Sequence, residues 1–448
     1  MNTNRDTICA ISTPSGVGGI AIVRVSGSNA LEIVDSLFSG KRSIINTKGG
    51  QILYGTFANI DDVLVSVFRA PHSFTGEDTA EISCHGSIYI QQEILRSLTD
   101  HGCRLARAGE FTQRAFLNGK MDLTEAEAVA DLIAAENKSA HDLALNHLRG
   151  GVSKQLYDLR EKLLHFTSLI ELELDFADHE ELEFANRGEL KQLSQLIEEH
   201  LSRLVASFKT GNALKNGISV AIIGPANAGK STLLNALVGE ERAIVSNIPG
   251  TTRDTIEDTI LIDGTLFRFI DTAGIRLTSN EIERQGIDRS RKAAEKADIV
   301  LLVIDATDTS KEYNQYLEDI NLSNKKVVRI YNKIDLLPTP HSSSIDEKDV
   351  MYISAKNGSI EPLKHLLATM YDSPDSHQTL ISNVRHYEAL QQALKAIKEV
   401  EKGLENNISG EFLSMDLQDC LNALGEITGQ ITSDEVLGNI FKHFCIGK

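Results

Sequence analysis

The sequence predicts a multidomain protein of α/β plus all-α class, in which a mostly parallel α/β domain is inserted into a helical one. Three observations carry this expectation. Residues 1–118 alternate strand-like and helix-like segments. Helical periodicity that begins near residue 119 breaks off near 215 and resumes after 375. Between those points lies a second alternating segment, opened by the loop "GPANAGKST" at 224–232. With 448 residues the chain has room for several cores, at roughly 100–200 residues each.

Taken in order, "GIAIVRVSG" (19–27) and "DVLVSVFRA" (62–70) are β-rich, and "SIYIQQEILRSL" (87–98) carries apolar residues at helical spacing. Thr124 and Glu127 have the T-x-x-E spacing of a capping box ahead of "AEAVADLIAA", which predicts a helix start there. Leu156, Leu159, Leu163, Phe166 and Ile170 continue one apolar stripe suited to bundle packing. From Ile218 the runs "ISVAIIG", "TLFRFID", "DIVLLVID" and "KKVVRIYNK" are short and apolar, as strands buried on both faces of a parallel sheet must be. Asp263-Gly264 is a hairpin signal. After the linker "SPDSHQ" (373–378), Leu390, Leu394, Ile397 and Val400 restore the helical period. The expected domains are 1–118, a helical domain in two halves at 119–215 and 376–448, and an insert at 216–375.

Composition narrows the function classes. A formal charge of −18 argues against a general electropositive surface for nucleic acid, so an RNA substrate requires a local patch or a partner. No apolar run approaches the ~18 residues of a membrane span, and "MNTNRDTICAIS" has no signal-peptide pattern. The five cysteines are scattered without a C-x-x-C pair, which speaks against disulfides and zinc and for a reducing cytoplasm.

Gly224 to Ser231 match G-x-x-x-x-G-K-[ST] between a predicted strand and a predicted helix, the context in which backbone N–H groups wrap phosphate oxygens. Lys230 is placed to reach the β/γ-phosphates and the Ser231 hydroxyl to ligate Mg²⁺, with Asn227, Ala228, Gly229 and Thr232 completing the loop. "DTAG" puts Asp271, Thr272, Ala273 and Gly274 near the magnesium and γ-phosphate, and "SNIPGTTRD" offers Thr252 as a second magnesium ligand. "NKID" supplies Asn332, Lys333 and Asp335, and "SAK" supplies Ser354, Ala355 and Lys356. A carboxylate such as Asp335 accepts from both N1–H and the exocyclic amine of guanine, whereas adenine presents an acceptor at N1, so the nucleotide is GTP and not ATP. Ile275 stands where Ras-like proteins carry a water-orienting Gln, leaving Glu281, Glu283 and Arg284 as candidates for that task.

These motifs, with "STPSGVGGIAIVRVSG" (12–27), "SFTGEDTAEISCHG" (73–86), "RAGEFTQRAFLNGKMDLTEAEAV" (107–129) and the terminal "FCIGK" (444–448), resemble the MnmE (TrmE) family of tRNA-modification GTPases along the whole chain. The resemblance implies an N-terminal folate-binding α/β domain that also dimerises, a helical domain, and an inserted Ras-like P-loop G domain. It implies a homodimer working with the flavoprotein MnmG (GidA) in a heterotetramer that also brings the tRNA. Together they would add an aminomethyl or carboxymethylaminomethyl group to C5 of the wobble uridine at position 34, using a one-carbon unit from 5,10-methylene- or 5-formyl-tetrahydrofolate. Folate contacts carried over are Arg24, Glu81, Lys120 and Lys448, with Cys445 as a candidate thiol. The resemblance also implies K⁺ held by Asn227, Thr251 and the carbonyls of Ser246 and Ile248 when two G domains meet. The rest of that loop (Asn247, Pro249, Gly250) would then close over the nucleotide, with Glu283 positioning the attacking water and Lys230 assisting catalysis. The rival reading is an RNA-binding ribosome-assembly GTPase, which would carry a KH or other basic module in place of the first 120 residues.

Overall fold

The computed structural model describes residues 6–175, 186–240, 258–270, 291–308, 325–337, 345–347, 349–358, 360–370, 379–442, 444 and 447. The first strands and helices are β1 (Ile8–Ile11), β2 (Gly18–Ser26), α1 (Ala30–Leu37), β3 (Phe38–Gly40), β4 (Gln51–Phe57), β5 (Asp61–Phe68), β6 (Thr79–Gly86), α2 (Ile88–Asp100), β7 (Arg104–Leu105) and α3 (Glu110–Leu117). Four helices follow: α4 (Leu123–Ala134), α5 (Lys138–Leu148), α6 (Gly151–Asp175) and α7 (Arg187–Asn216). Next come β8 (Ile218–Ile223), α8 (Lys230–Glu240), β9 (Asp258–Ile262), β10 (Thr265–Phe269), β11 (Ile299–Asp305), β12 (Lys326–Asn332), β13 (Ile345–Glu347), β14 (Val350–Tyr352) and α9 (Glu361–Met370). The chain closes with α10 (Val384–Glu405), α11 (Gly410–Thr428) and α12 (Asp434–Phe441). Two compact units result, one of residues 1–133, 147–198 and 389–448, the other of 134–146 and 199–388.

In the first unit a seven-stranded sheet runs β3-β4-β5-β6-β2-β1-β7. Strand alternation builds its core. Ala21, Val23 and Val25 of β2, Val63, Val65 and Val67 of β5, and Ala80 and Ile82 of β6 point to one face, where Leu31 and Val34 of α1 and Ile94 and Leu98 of α2 cover them. Each large aliphatic side chain buried this way contributes about 1.5–3 kcal/mol. On the opposite face Ile8 and Ala10 meet Phe111 of α3 and Phe74, while Ile20, Ile52, Tyr54 and Leu64 stay exposed. The described cysteines Cys9, Cys84, Cys103 and Cys420 are free and buried. Burial pushes the Cys420 thiol up to about 12, so it is packing rather than a nucleophile.

The helix following residue 122 corrects one expectation. The capping box is Asp122 with Glu125, not Thr124 with Glu127: the Glu125 amide donates to Asp122 Oδ1 at 2.9 Å, and the Asp122 amide donates to Glu125 Oε2 at 3.0 Å. The helix starts one residue before Thr124, whose buried hydroxyl donates to Asp122 Oδ1. Of the predicted stripe on α6, Leu156, Leu159, Leu163 and Ile170 are buried and Phe166 is half-buried, and α6 packs along α11.

The second unit holds a sheet of order β13-β14-β12-β11-β8-β10-β9, parallel through its centre and antiparallel at both edges. Every residue of β8 is buried, as the apolar run "ISVAII" requires for a central strand with both faces covered. Asp263 (φ +48°) and Gly264 (φ +80°) form the tight turn between β9 and β10.

Candidate functional site

The phosphate loop leaves the carboxyl end of β8 and is held against two neighbouring strands at van der Waals limits. Gly224 has φ +138°, and a Cβ on it would stand 2.1 Å from the Val303 carbonyl oxygen of β11. Gly229 has φ +98°, and its Cβ would stand 2.2 Å from Nδ2 of Asn332. Neither position admits a side chain. Asn227, exposed between them, adopts the left-handed conformation at φ +59°. α8 begins at Lys230, so the loop's N–H groups and the helix dipole face the same spot. Lys230 Nζ donates to the carbonyls of Gly224 at 2.8 Å and Pro225 at 2.6 Å, and burial lowers its pKa. A desolvated ammonium of this kind gains strongly from an anionic partner. Ser231 is half-buried and Thr232 exposed on the first turn of α8.

Asn332, at the end of β12 and almost fully buried, ties three loops together. Its Nδ2 donates to the Ala228 carbonyl at 2.9 Å, and its Oδ1 accepts from the Ala355 amide at 3.0 Å. The "NKID" and "SAK" segments therefore lie beside the phosphate loop. Asp335 is exposed, and Ser354 Oγ donates to its Oδ1 at 2.5 Å, which fixes the carboxylate that the sequence assigns to guanine. Lys333 takes φ +67°, and its Nζ pairs with Asp305 Oδ2 at 2.7 Å; Lys356 is exposed. Asp305 belongs to no sequence motif, and its signal in one dimension is an acidic residue closing the apolar strand "IVLLVID" beside the phosphate-loop strand. Ser246, Asn247, Ile248, Pro249, Gly250, Thr251, Thr252, Asp271, Thr272, Ala273, Gly274 and Glu283 lie outside the described residues.

A second cluster forms in the first unit. Arg24 of β2 and Glu81 of β6 are direct cross-strand partners, joined by Nε···Oε1 at 2.9 Å and Nη2···Oε1 at 2.8 Å. The guanidinium lies 5.3 Å from the Phe74 ring centroid and 5.5 Å from that of Phe111. Lys120 joins the same 71–76 loop: its Nζ donates to the Pro71 carbonyl at 2.9 Å, and its stem runs along Gly76. The C-terminal segment reaches this domain as well. Ser12 Oγ donates to the Gly447 carbonyl at 3.1 Å, and Gly109, at φ +67°, leaves room for Phe441 and Phe444. Cys445 and Lys448, which flank these anchors, lie outside the described residues.

Comparison with known proteins matches nearly the whole chain to two family models. Residues 7–120 match the family model "GTP-binding protein TrmE N-terminus", and residues 123–445 match "MnmE helical domain". Among similar relatives, a tRNA modification GTPase MnmE of Parabacteroides distasonis is 55% identical over 459 residues, covering 99% of this chain and 100% of that protein. Proteins of the same name from Bacteroides thetaiotaomicron and Phocaeicola vulgatus are each 49% identical and cover 99% of this chain, with 100% and 99% of their own lengths covered. Among the described residues no helix is long and apolar enough to cross a membrane.

Proposed function

The chain belongs to the MnmE family of tRNA modification GTPases, and we propose that it couples GTP hydrolysis in the second unit to folate-dependent modification of the wobble uridine, in the cytoplasm, as a homodimer acting with the flavoprotein MnmG. The boundaries we propose are 1–118 for the folate and dimer domain, 216–375 for the G domain, and 119–215 with 376–448 for the helices between. The observation that carries the nucleotide part is Asn332: one buried amide locks the phosphate loop to both base-reading loops. A site so tied binds phosphates and base as one rigid surface.

Within it, Lys230 and the loop amides would hold the β/γ-phosphates, and Asp335 the guanine edge. Ser231, at the helix start beside Lys230, suits Mg²⁺ as a hard oxygen donor, with Thr252 of the "SNIPGTTRD" motif as a second ligand. When bound, Mg²⁺ and K⁺ would each neutralise charge on the phosphate oxygens, with Asn227 among the residues that would hold the K⁺. The exposed Asn227 carboxamide is an oxygen donor compatible with that ion. Glu283 would position the attacking water.

The Arg24–Glu81 pair fits a pterin bearing a polyanionic tail. The Glu81 carboxylate would face the guanidine-like edge of such a ring, Phe74 and Phe111 hold the Arg24 guanidinium from their ring faces, and Lys120 adds a cation on the 71–76 loop. The folate would supply the one-carbon unit. This chain's own residues would bind and orient it, and the partner flavoprotein would carry the contacts to tRNA that the net negative charge disfavours.

Asp335→Asn tests the nucleotide reading. The amide should lose the paired contact to guanine and favour xanthine, whose C2 carbonyl accepts from it. GTP turnover should fall while XTP is bound and hydrolysed. Unchanged preference for GTP over XTP would refute the base-site assignment.

A further inference from the structure

We propose that Asp305 is a positioning residue for the guanine nucleotide, acting through Lys333; the inference rests on the nucleotide reading above and concerns the same site. Asp305 closes β11, and its register partner on β12 is Asn332, so the carboxylate sits beside the residue that organises the base-reading loops. Its two oxygens have separate tasks. Oδ1 accepts from the Thr307 amide at 3.0 Å and from Thr307 Oγ1 at 2.7 Å, which fixes the carboxylate's own rotamer. Oδ2 takes Lys333 Nζ at 2.7 Å, and both side chains are partly shielded from water. The backbone is anchored in parallel, since the Ala306 amide donates to the Asn332 carbonyl at 2.8 Å.

Lys333 occupies the left-handed region between two fixed points. Asn332 before it is bonded to Ala228 and Ala355, and Asp335 after it is held by Ser354. Its backbone is therefore set, and the remaining freedom is in four side-chain torsions. With Nζ pinned by Asp305, those torsions are restricted before any nucleotide arrives. The apolar stem then forms a preformed wall beside Asp335 for a planar base, with the charged end kept at a partner rather than in the base slot. A free lysine would lose that rotamer freedom on binding, at the expense of affinity. The pair is a charge-assisted hydrogen bond in partial shelter, stronger than a surface ion pair. Burial alone would push the Asp305 carboxyl up, but the bonds from Lys333 and Thr307 outweigh it and hold it below the ordinary carboxylate range.

Titrating GDP and IDP against the full chain, in wild type, Asp305→Asn, Lys333→Ala, the double variant and Thr307→Val, separates this role from a structural one. Asp305→Asn keeps an acceptor for Thr307 and removes the charge facing Lys333. It should weaken GDP and IDP alike, by roughly tenfold, the scale of one charge-assisted bond. KM for GTP should rise with kcat nearly constant, as for loss of uniform binding. The double variant should bind no worse than Lys333→Ala alone, and Thr307→Val, which loses the hydroxyl bond but keeps the Thr307 amide on Oδ1 and the charge facing Lys333, should weaken GDP clearly less than Asp305→Asn does. Wild-type affinity in Asp305→Asn, strictly additive losses in the double variant, or the same loss in Thr307→Val would each overturn the proposal. Asp335→Asn run alongside tells the two readings apart: if it fails to turn toward XTP the guanine site itself is wrong, and if it turns while Asp305→Asn behaves as wild type only the positioning role is wrong.

Discussion

Gly447 lies so close to β1 that a Cβ on it would stand 2.1 Å from the Ile11 carbonyl oxygen, and its φ of +94° is one that other residues rarely adopt. Gly447 is thus seated on the N-terminal sheet by backbone contact, with Ser12 Oγ adding a hydrogen bond to the same residue. Gly447→Ala should push this residue off β1 and disturb the C-terminal motif to which it belongs. Wobble-uridine modification, read by mass analysis of tRNA nucleosides from cells carrying the variant, should drop at least tenfold, the effect expected when a reacting group is misplaced by about 1 Å. GTP hydrolysis by the purified protein should be retained. Gly438→Ala, where a Cβ meets nothing within 4 Å, is the matched control and should modify normally.

Gly229→Ala should abolish tight nucleotide binding, because its Cβ would overlap the amide of Asn332. Asn332→Ala attacks the same junction from the other side. It leaves the Ala228 carbonyl and the Ala355 amide without their partner, at about 1–3 kcal/mol for each buried group orphaned. Denaturant unfolding should show that loss for Asn332→Ala, whereas Gly239→Ala, with open space around its Cβ inside α8, should show no loss and a gain of up to about 1 kcal/mol.

The first unit should weaken in acid through Glu110. Burial pushes its carboxyl up, but hydrogen bonds from Arg104 at 2.5 Å, the Arg107 amide at 2.8 Å and Arg114 at 3.1 Å outweigh this and hold it below the ordinary carboxylate range. A depressed folded-state pKa stabilises the fold above the unfolded value and loses that contribution as pH falls through the folded one. Thermal unfolding should therefore show full stability above about pH 5 and a decline below it. Glu110→Gln should remove about 1.5–3 kcal/mol at neutral pH and flatten the acid decline; an unchanged profile would mean that other carboxylates set it.

The proposed potassium dependence would rest on Asn227 and on loop residues 246–251. GTPase rate should be far higher in K⁺ than in Na⁺ buffer, approaching the ~10³–10⁵ that an arginine finger supplies elsewhere. Asn227→Ala should remove the difference between the salts. Glu283→Ala should depress the rate in K⁺; if it stays active, the water is positioned by another residue such as Glu281. Equal wild-type rates in the two salts would exclude a catalytic monovalent ion.

Much of this molecule was legible in one dimension because its signals are local. Apolar runs of strand length identified β8, β11 and β12, the Asp263-Gly264 pair marked its hairpin, and the phosphate loop, "NKID" and "SAK" announced a guanine site, since each motif works through its own backbone geometry. The start of α4 is ambiguous in the sequence because D-x-x-E at 122–125 and T-x-x-E at 124–127 overlap there, and only the reciprocal bonds of Asp122 and Glu125 decide between them. Three relationships needed the tertiary fold: Arg24 facing Glu81 across 57 residues, Asp305 pinning Lys333 across 28, and Ser12 holding Gly447 across 435. Sequence carries the chemistry of each partner, but strand register and chain return decide which partners meet, and those follow from burying whole faces rather than from any local pattern.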